Sequence, residues 1–385
     1  MKVALIGIGT VGNGAYDIIK DRAAEIEKGL GEKIEVSYIV PRKEKADELR
    51  KEYGDLISTD YDKVLAEVDA IVEATGAIEE GYTYMKKALE NKVSVITANK
   101  AVVSAHFEEL TELSEKNQTA FLYEASVGGG IPVLTPLRHL LLTNNVNIIY
   151  GILNGTSNYL LNKMFHDNGS YEETLKLCQE LGYAEKDPTD DVEGFDSMRK
   201  LRILTTMAMG EIHEDEILVE GISKITAEVV SYAKSIHKKI KLVGMARLED
   251  GKITAVLEPL LMDEQDLLSV LPEAMNIVKL KGNWIGNVAF QGPGAGAGPT
   301  GNAIVADLID AARGAFYPVE KKERLPIANE DFEAKYFLYK VDCPDEYVEK
   351  RDGDFIFTKR VKRKDIAGLV GDGFMARVDE DYNYD

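Results

Sequence analysis

The chain has 385 residues, 45% apolar and 29% charged; that balance supports a globular core, and the length calls for more than one domain. Its 66 acidic residues outweigh 46 basic ones for a formal charge of −20, so no nucleic-acid partner is expected, because such a surface repels phosphate backbones. Two cysteines, Cys178 and Cys343, make neither a disulfide framework nor a metal-ligand spacing, and no run of about eighteen apolar residues is present to span a membrane; a reducing, cytoplasmic setting is expected.

The first third alternates strand and helix. Five short apolar runs, KVALIG, IEVSYIV, VDAIVEATG, KVSVITA and TAFLYEAS, are separated by segments with helical spacing. This rhythm predicts an α/β fold with a parallel, doubly wound sheet of Rossmann type over residues 1–132. No secretory signal is expected, since MKVALIGIG already reads as a strand. After VGGGIPV the rhythm changes, and residues 133–310 read as a second, α+β domain. It contains the exposed-looking strands KITAVLEPLLM and GNVAFQG and closes with a glycine loop and helix, GPGAGAGPTGNAIVADLIDAAR. Residues 311–329 read as a return segment, and 330–385 as a short appendage of two or three strands with a loose acidic tail. Trp284 and the methionines from Met198 to Met209 read as core.

GIGTVG, residues 7–12, fits G-x-G-x-x-G with Gly7, Gly9 and Gly12 in place, after a strand and before a helix. The first glycine permits a tight turn, the second a close approach to a pyrophosphate and the third close helix–strand packing. Ile8, Thr10 and Val11 complete this candidate dinucleotide loop. The second strand ends in Pro41, Arg42 and Lys43 rather than in an acid, and Glu35 lies near its start. A guanidinium there suits a 2′-phosphate, so NADP is expected ahead of NAD. Lys100, in TANKAVVS, falls at the carboxyl end of a strand, the edge that faces ligands in open sheets.

Residues 182–204, GYAEKDPTDDVEGFDSMRKLRIL, gather acids before a helix. Asp196 and Lys200 are four apart and share a helical face, with Asp191 just before and Glu185 in the loop. Such carboxylates suit a substrate ammonium, and a lysine among them suits proton transfer. Asp187, Asp190 and Glu193 read as caps and solvated loop residues.

Six blocks, GIGTVG, ITANKAVVS, YEASVGGGIPV, GILNGTSNYLL, the 182–204 block and GPGAGAGPTGNA, appear in that order. Together they resemble the signature blocks of homoserine dehydrogenase over about residues 1–315. The resemblance implies NAD(P)-dependent interconversion of L-aspartate 4-semialdehyde and L-homoserine, on the way to threonine, methionine and isoleucine. It implies Lys200 as proton donor, Asp196 as its partner or a ligand of the substrate hydroxyl end, and Lys100 as a second lysine near nicotinamide and substrate. Glu185, Asp191, Gly155, Thr156 and Tyr183 match the substrate shell, and Thr75, Gly182, Gly294 and Gly296 complete the cofactor set. Glu124, with the carbonyls of Val127, Gly129 and Ile131, matches a Na⁺ or K⁺ site; read from its residue type alone, Glu124 is a buried acid bonded to amides. The resemblance further implies a second domain that carries catalysis and dimerisation, a homodimer or higher oligomer, and a truncated or divergent ACT-like appendage.

Overall fold

The computed structural model describes residues 1–317, 322 and 324–380, and the chain divides into two compact units. The first comprises residues 1–138 and 293–317; the second comprises 139–292, 322 and 324–380. The end of the expected tail, 381–385, and positions 318–321 and 323 of the expected return segment lie outside the described residues.

In the first unit, β1 (Lys2–Ile6), β2 (Glu35–Val40), β3 (Ala70–Glu73), β4 (Ser94–Thr97) and β5 (Phe121–Leu122) form a sheet in the order β2-β1-β3-β4-β5. Every neighbouring pair is parallel. Val3, Leu5, Val72 and Ile96 are buried in one core, as expected for strands covered on both faces by crossover helices. The chain leaves β1 towards β2 on one side and returns to β3 on the other. The carboxyl ends of these three strands therefore bound a crevice of the kind that takes ligands in open α/β sheets.

The helix Ala297–Ala312 was expected in the second domain but belongs to the first unit. Its Ala303, Ile304, Val305 and Leu308 share a core with Val3, Leu5 and Ala15. It meets the helix Thr10–Asp21 backbone to backbone. A Cβ on Gly14 would lie 2.1 Å from the Ala297 carbonyl oxygen, and one on Gly301 would lie 2.6 Å from the Gly14 carbonyl carbon. The expected boundary at 310 gives way to a discontinuous unit, because these glycines pack the late helix onto the first one.

The second unit is built on a ten-stranded sheet. Its strands are β6 (Val146–Ile152), β7 (Leu218–Val219), β8 (Lys238–Glu249), β9 (Lys252–Asp263), β10 (Met275–Gly282) and β11 (Gly286–Pro293), followed late in the chain by β13 (Tyr336–Tyr339), β14 (Val348–Asp352), β15 (Phe355–Thr358) and β17 (Phe374–Val378). The order is β11-β10-β6-β8-β9-β17-β13-β15-β14, with β7 beside β9; β12 (Glu333–Ala334) and β16 (Val361–Lys362) pair separately. β8 and β9 pair antiparallel along their whole length, Lys238 to Asp263 through Glu249 to Lys252.

Three expectations are corrected here. β9 is buried over nearly all its length rather than exposed, since β8 and β17 flank it. Trp284 is 83% exposed, in the turn between β10 and β11 at the edge of the sheet, where its unit offers nothing to cover it. Residues 330–380 continue the main sheet instead of hanging from it. β17 pairs parallel with β9 at Arg377–Leu260 and Val378–Leu261. Behind that seam the buried Glu258 of β9 accepts hydrogen bonds from Arg363 Nε at 3.1 Å and Arg377 Nε at 2.9 Å. The only α-helix described in this segment is the short Arg363–Ala367. Met198, Met207 and Met209 are buried, as the sequence suggested.

Candidate active site

The first unit supplies a cavity of about 500 Å³ at the carboxyl ends of β1, β2 and β3. Gly7, with φ +92°, makes the turn out of β1, and a Cβ there would lie 2.8 Å from the Ala74 carbonyl oxygen. Gly12 must also lack a side chain, since its Cβ would lie 2.3 Å from the Gly7 oxygen. Gly9 is different: nothing lies within 4 Å of its notional Cβ, and it lines the cavity. Its role is to leave room. Gly9 is also the N-cap of Thr10–Asp21 with no side-chain hydrogen bond, so the first-turn N–H groups, which form the positive end of the helix dipole, are not capped by a side chain. A pyrophosphate fits this arrangement of open space, bare amides and dipole.

Of the expected cofactor residues, Gly7, Ile8, Gly9, Arg42, Lys43 and Thr75 line the cavity, and so does Glu44. Thr10, Val11 and Gly12 form the first turn of the helix. Thr75 gives both its amide and its hydroxyl to Glu73 Oε1, at 2.9 and 2.6 Å. Glu73 is wholly buried and also accepts from Thr97 Oγ1 at 2.8 Å, so it ties the ends of β3 and β4 together. Lys100 is half-buried and opens the helix Lys100–Ala105, capped by Asn99 Oδ1 on Val102 N. Gly294 and Gly296 lie in the loop before Ala297–Ala312 and do not line this cavity; Gly182 belongs to the second unit.

Glu124 is buried, and its carboxylate accepts three amide hydrogens, from Val133 at 2.6 Å, Leu134 at 2.8 Å and Thr135 at 2.7 Å. It anchors the start of the helix Leu134–Leu141. Val127, Gly129 and Ile131 follow in the same turn-rich stretch, where a Cβ on Gly129 would lie 2.3 Å from the Gly294 oxygen.

In the second unit a bonded cluster forms around Asn154. β6 ends at Ile152, and Asn154 caps the helix Gly155–Asp167 by accepting from Ser157 N at 2.8 Å. The Asn154 amide nitrogen then donates to Asp191 Oδ1 at 2.6 Å and to Asp196 Oδ2 at 2.8 Å. Asp196 opens the helix Phe195–Ala208, and Lys200 stands one turn further on. Lys200 Nζ donates to Asp196 Oδ2 and to the Leu153 carbonyl, each at 2.7 Å. That carbonyl also accepts from Asn276 Nδ2 at 2.9 Å. Lys200 and Asp196 are both buried. Burial holds the Asp191 carboxyl above the usual range and the Asp196 charge adds to this, while the hydrogen bonds from Asn154 and Thr156 and the charge of Lys200 pull it back.

The remaining expected residues frame this cluster. Thr156 Oγ1 donates to the Tyr183 carbonyl at 2.7 Å, and the Tyr183 ring stacks on Tyr159 at 4.0 Å. Gly155 is required: a Cβ there would lie 2.5 Å from the Ala274 oxygen. Glu185 is exposed, and only its carbonyl is bonded, to Gln179 Nε2, so the structure does not draw its carboxylate into the network. Asp187 caps Thr189, and Asp190 pairs with Arg199 at 2.7 Å. Sequence reasoning missed Asn154 and Asn276. The first had a signal, an asparagine directly before a helical Gly-Thr-Ser. The second had none, because its partner is a backbone carbonyl 123 residues away.

A dinucleotide crevice on one unit and a buried lysine–carboxylate cluster on the other define an NAD(P)-dependent oxidoreductase acting on a small polar substrate. A family model described as Homoserine dehydrogenase matches residues 132–309, and one described as Homoserine dehydrogenase, NAD binding domain, matches residues 7–124. The chain is 33% identical to a homoserine dehydrogenase of Bacillus subtilis over 352 residues, 90% of this chain and 79% of that protein. It is 36% identical to one of Pseudomonas aeruginosa over 317 residues, 81% and 72% of the two chains. The crystal structure of a homoserine dehydrogenase from Thiobacillus denitrificans superposes with a TM-score of 0.89 at 30% identity, covering 98% of both chains. The chain belongs to the homoserine dehydrogenase family. Its reaction is oxidation of the L-homoserine hydroxyl, and the reverse reduction of L-aspartate 4-semialdehyde, with NAD(P).

Proposed function

We propose that Lys200 moves the proton of this reaction. The observation that supports the assignment is the fixed ammonium position: the buried Lys200 donates to Asp196 and to the Leu153 carbonyl, which hold it in one place beside the carboxylate cluster. When bound, the dinucleotide supplies or accepts the hydride. In the reducing direction Lys200 gives a proton to the aldehyde oxygen as it becomes a hydroxyl, and Asp196 steadies the lysine in both protonation states. Asp191 and Glu185 receive the substrate ammonium, with Gly155, Thr156 and Tyr183 shaping the floor. Lys100 serves as the second lysine towards substrate and nicotinamide. The test is absorbance at 340 nm with L-homoserine and NADP, beside L-aspartate and L-threonine. Reduction is expected with homoserine alone. Lys200→Ala is expected to lose roughly 10²–10⁴-fold in kcat with cofactor affinity kept; a kcat near the parent value would reject the lysine's role.

The finer cofactor reading is NADP ahead of NAD. It is supported by Arg42 and Lys43 on the cavity wall and by the absence of an acid at the end of β2, though Glu44 also faces the cavity. Arg42→Glu should weaken NADPH binding selectively, and equal weakening of NADH and NADPH would refute this. A Na⁺ or K⁺ at Glu124, Val127, Gly129 and Ile131 would meet a carboxylate already serving three amides, so backbone carbonyls would carry most of its coordination; activity indifferent to K⁺ and Na⁺ would dismiss it. Self-association is assigned to the second unit, whose Trp284 is exposed, and sedimentation at two protein concentrations tests it. No described helix is long and apolar enough to cross a membrane.

A further inference from the structure

β6 and β10 pair antiparallel up to Ile152 opposite Ile277. The next residues, Leu153 and Asn276, stand where β6 leaves the sheet to cap the helix Gly155–Asp167. There the main-chain carbonyl of Leu153 accepts two side chains, Lys200 Nζ at 2.7 Å and Asn276 Nδ2 at 2.9 Å. A carbonyl oxygen has two lone pairs, so this one is fully used. The peptide that carries it leads straight into Asn154, which holds Asp196, another acceptor of Lys200. Two anchors of the lysine therefore depend on one peptide plane, and Asn276 reaches that plane from the neighbouring strand.

Packing does not account for this asparagine. Asn276 is wholly buried in β10, and its Oδ1 accepts no hydrogen bond among the described residues. A buried amide with an unpaired oxygen carries a desolvation cost that a valine in the same strand would avoid. Nor does the Leu153 carbonyl need Asn276 to escape being orphaned, since Lys200 already donates to it. With the two ends of the amide exchanged, its oxygen would face the Leu153 oxygen, so the donating orientation is the one that bonds. The chain before Asn276 is braced from behind. Asn158 Nδ2 donates to the Glu273 and Met275 carbonyls at 2.9 and 3.1 Å, and Asn162 Nδ2 to the Leu271 carbonyl at 3.0 Å. The side-chain oxygens of both accept from the buried Lys241 Nζ, at 2.7 and 2.6 Å. The last of the braced carbonyls, that of Met275, adjoins Asn276.

We propose that Asn276 is a positioning residue of the reaction: by fixing the Leu153 carbonyl, it fixes where the Lys200 ammonium points. The proposal rests on the reading of Lys200 as the group that moves the proton. Without the Asn276 bond the Leu153 peptide is free to turn, and the lysine loses a fixed anchor. A misplacement of about 1 Å can cost on the order of 100-fold in rate, so the effect falls on kcat. The residues assigned to the substrate ammonium do not touch Asn276, so KM for homoserine stays near the parent value.

The test is a double-mutant cycle on the full chain at saturating NADP, with kcat, KM for L-homoserine and melting temperature read for Asn276→Val, Lys200→Ala and the two together. Asn276→Val is expected to lose roughly 10- to 100-fold in kcat, with KM near the parent value and a melting temperature at or above the parent's. In the Lys200→Ala background the same substitution is expected to leave kcat unaltered. An equal loss in both backgrounds would show that the asparagine acts elsewhere, and would overturn the proposal while leaving the lysine's role standing. A lower melting temperature with kcat near the parent value would make Asn276 a packing residue and overturn it too. A parent-like kcat in Lys200→Ala would reject the lysine's role and this proposal with it. If Asn276→Val fails to fold, Asn276→Leu, which keeps the branched outline of asparagine without its donor, carries the comparison, and the same pattern across the cycle is expected.

Discussion

Asn154 spends every hydrogen-bonding group of its side chain. Its oxygen caps a helix, and its two amide hydrogens go to Asp191 and Asp196, which fixes the carboxylate that fixes Lys200. Hydrogen bonds to charged groups contribute about 1.5–3 kcal/mol, so Asn154→Ala should lower kcat by roughly 10- to 100-fold. A purely structural asparagine would cost stability without moving the pH profile. Here the profile should move in a set direction: the Asn154 bond holds the Asp191 carboxyl down, so its removal shifts the acidic limb of kcat/KM to higher pH. Lys241 carries a second prediction. Burial lowers its ammonium to about 7 from an ordinary 10.5. Between those values the unfolded chain holds a proton that the folded chain has released, so this site's contribution to stability rises with pH across the window and is level below about 7. Urea melts at pH 7 and 9.5 should show the parent gaining on Lys241→Gln by on the order of 1 kcal/mol per pH unit. Parallel curves would place the ammonium outside that range.

Among the elements, the seam of β9 and β17 decides what the last fifty residues are. Glu258 is buried with Arg363 and Arg377, and removing one side of a buried ion pair costs about 3–5 kcal/mol. A chain stopped after Ala328 would leave that carboxylate without either arginine and open the edge of β9 to other strands. It should be recovered insoluble or lose activity; a soluble, active truncation would mean the late strands are dispensable. The sequence made β1 to β5 and the fingerprint legible because both are written locally, as apolar runs and glycine spacing. The 182–204 block marked Asp191, Asp196 and Lys200 for the same reason, as acids and a lysine at helical spacing. The late strands were expected, but not that they continue the main sheet. Arg363 sits in the basic run KRVKRK, residues 359–364, and nothing in that run reveals that Glu258, 105 residues earlier, neutralises it. Trp284 misled for the opposite reason: burial is a tendency of residue type, and a turn at a sheet edge overrides it.

At the scale of the whole molecule, the two units share out the chemistry as well as the core. The first holds the glycine loop, the basic corner and Lys100; the second holds the lysine–carboxylate cluster. The boundary near residue 138 was close to the expected one at 132, but the later boundary was illegible because the signal that sets it is a pair of glycine contacts, Gly14 with Ala297 and Gly301 with Gly14, nearly three hundred residues apart. That contact also has a consequence in time. The first unit is interrupted after Arg138 and resumes only at Pro293. A ribosome adding about 5–20 residues per second needs roughly 8–30 seconds to make the intervening stretch. Throughout that interval the nascent Rossmann sheet lacks Ile304 and Leu308, which complete its core. The first part of the protein to be made is thus among the last to be finished, and it must wait, open to chaperones, until the segment inserted within it has been synthesised.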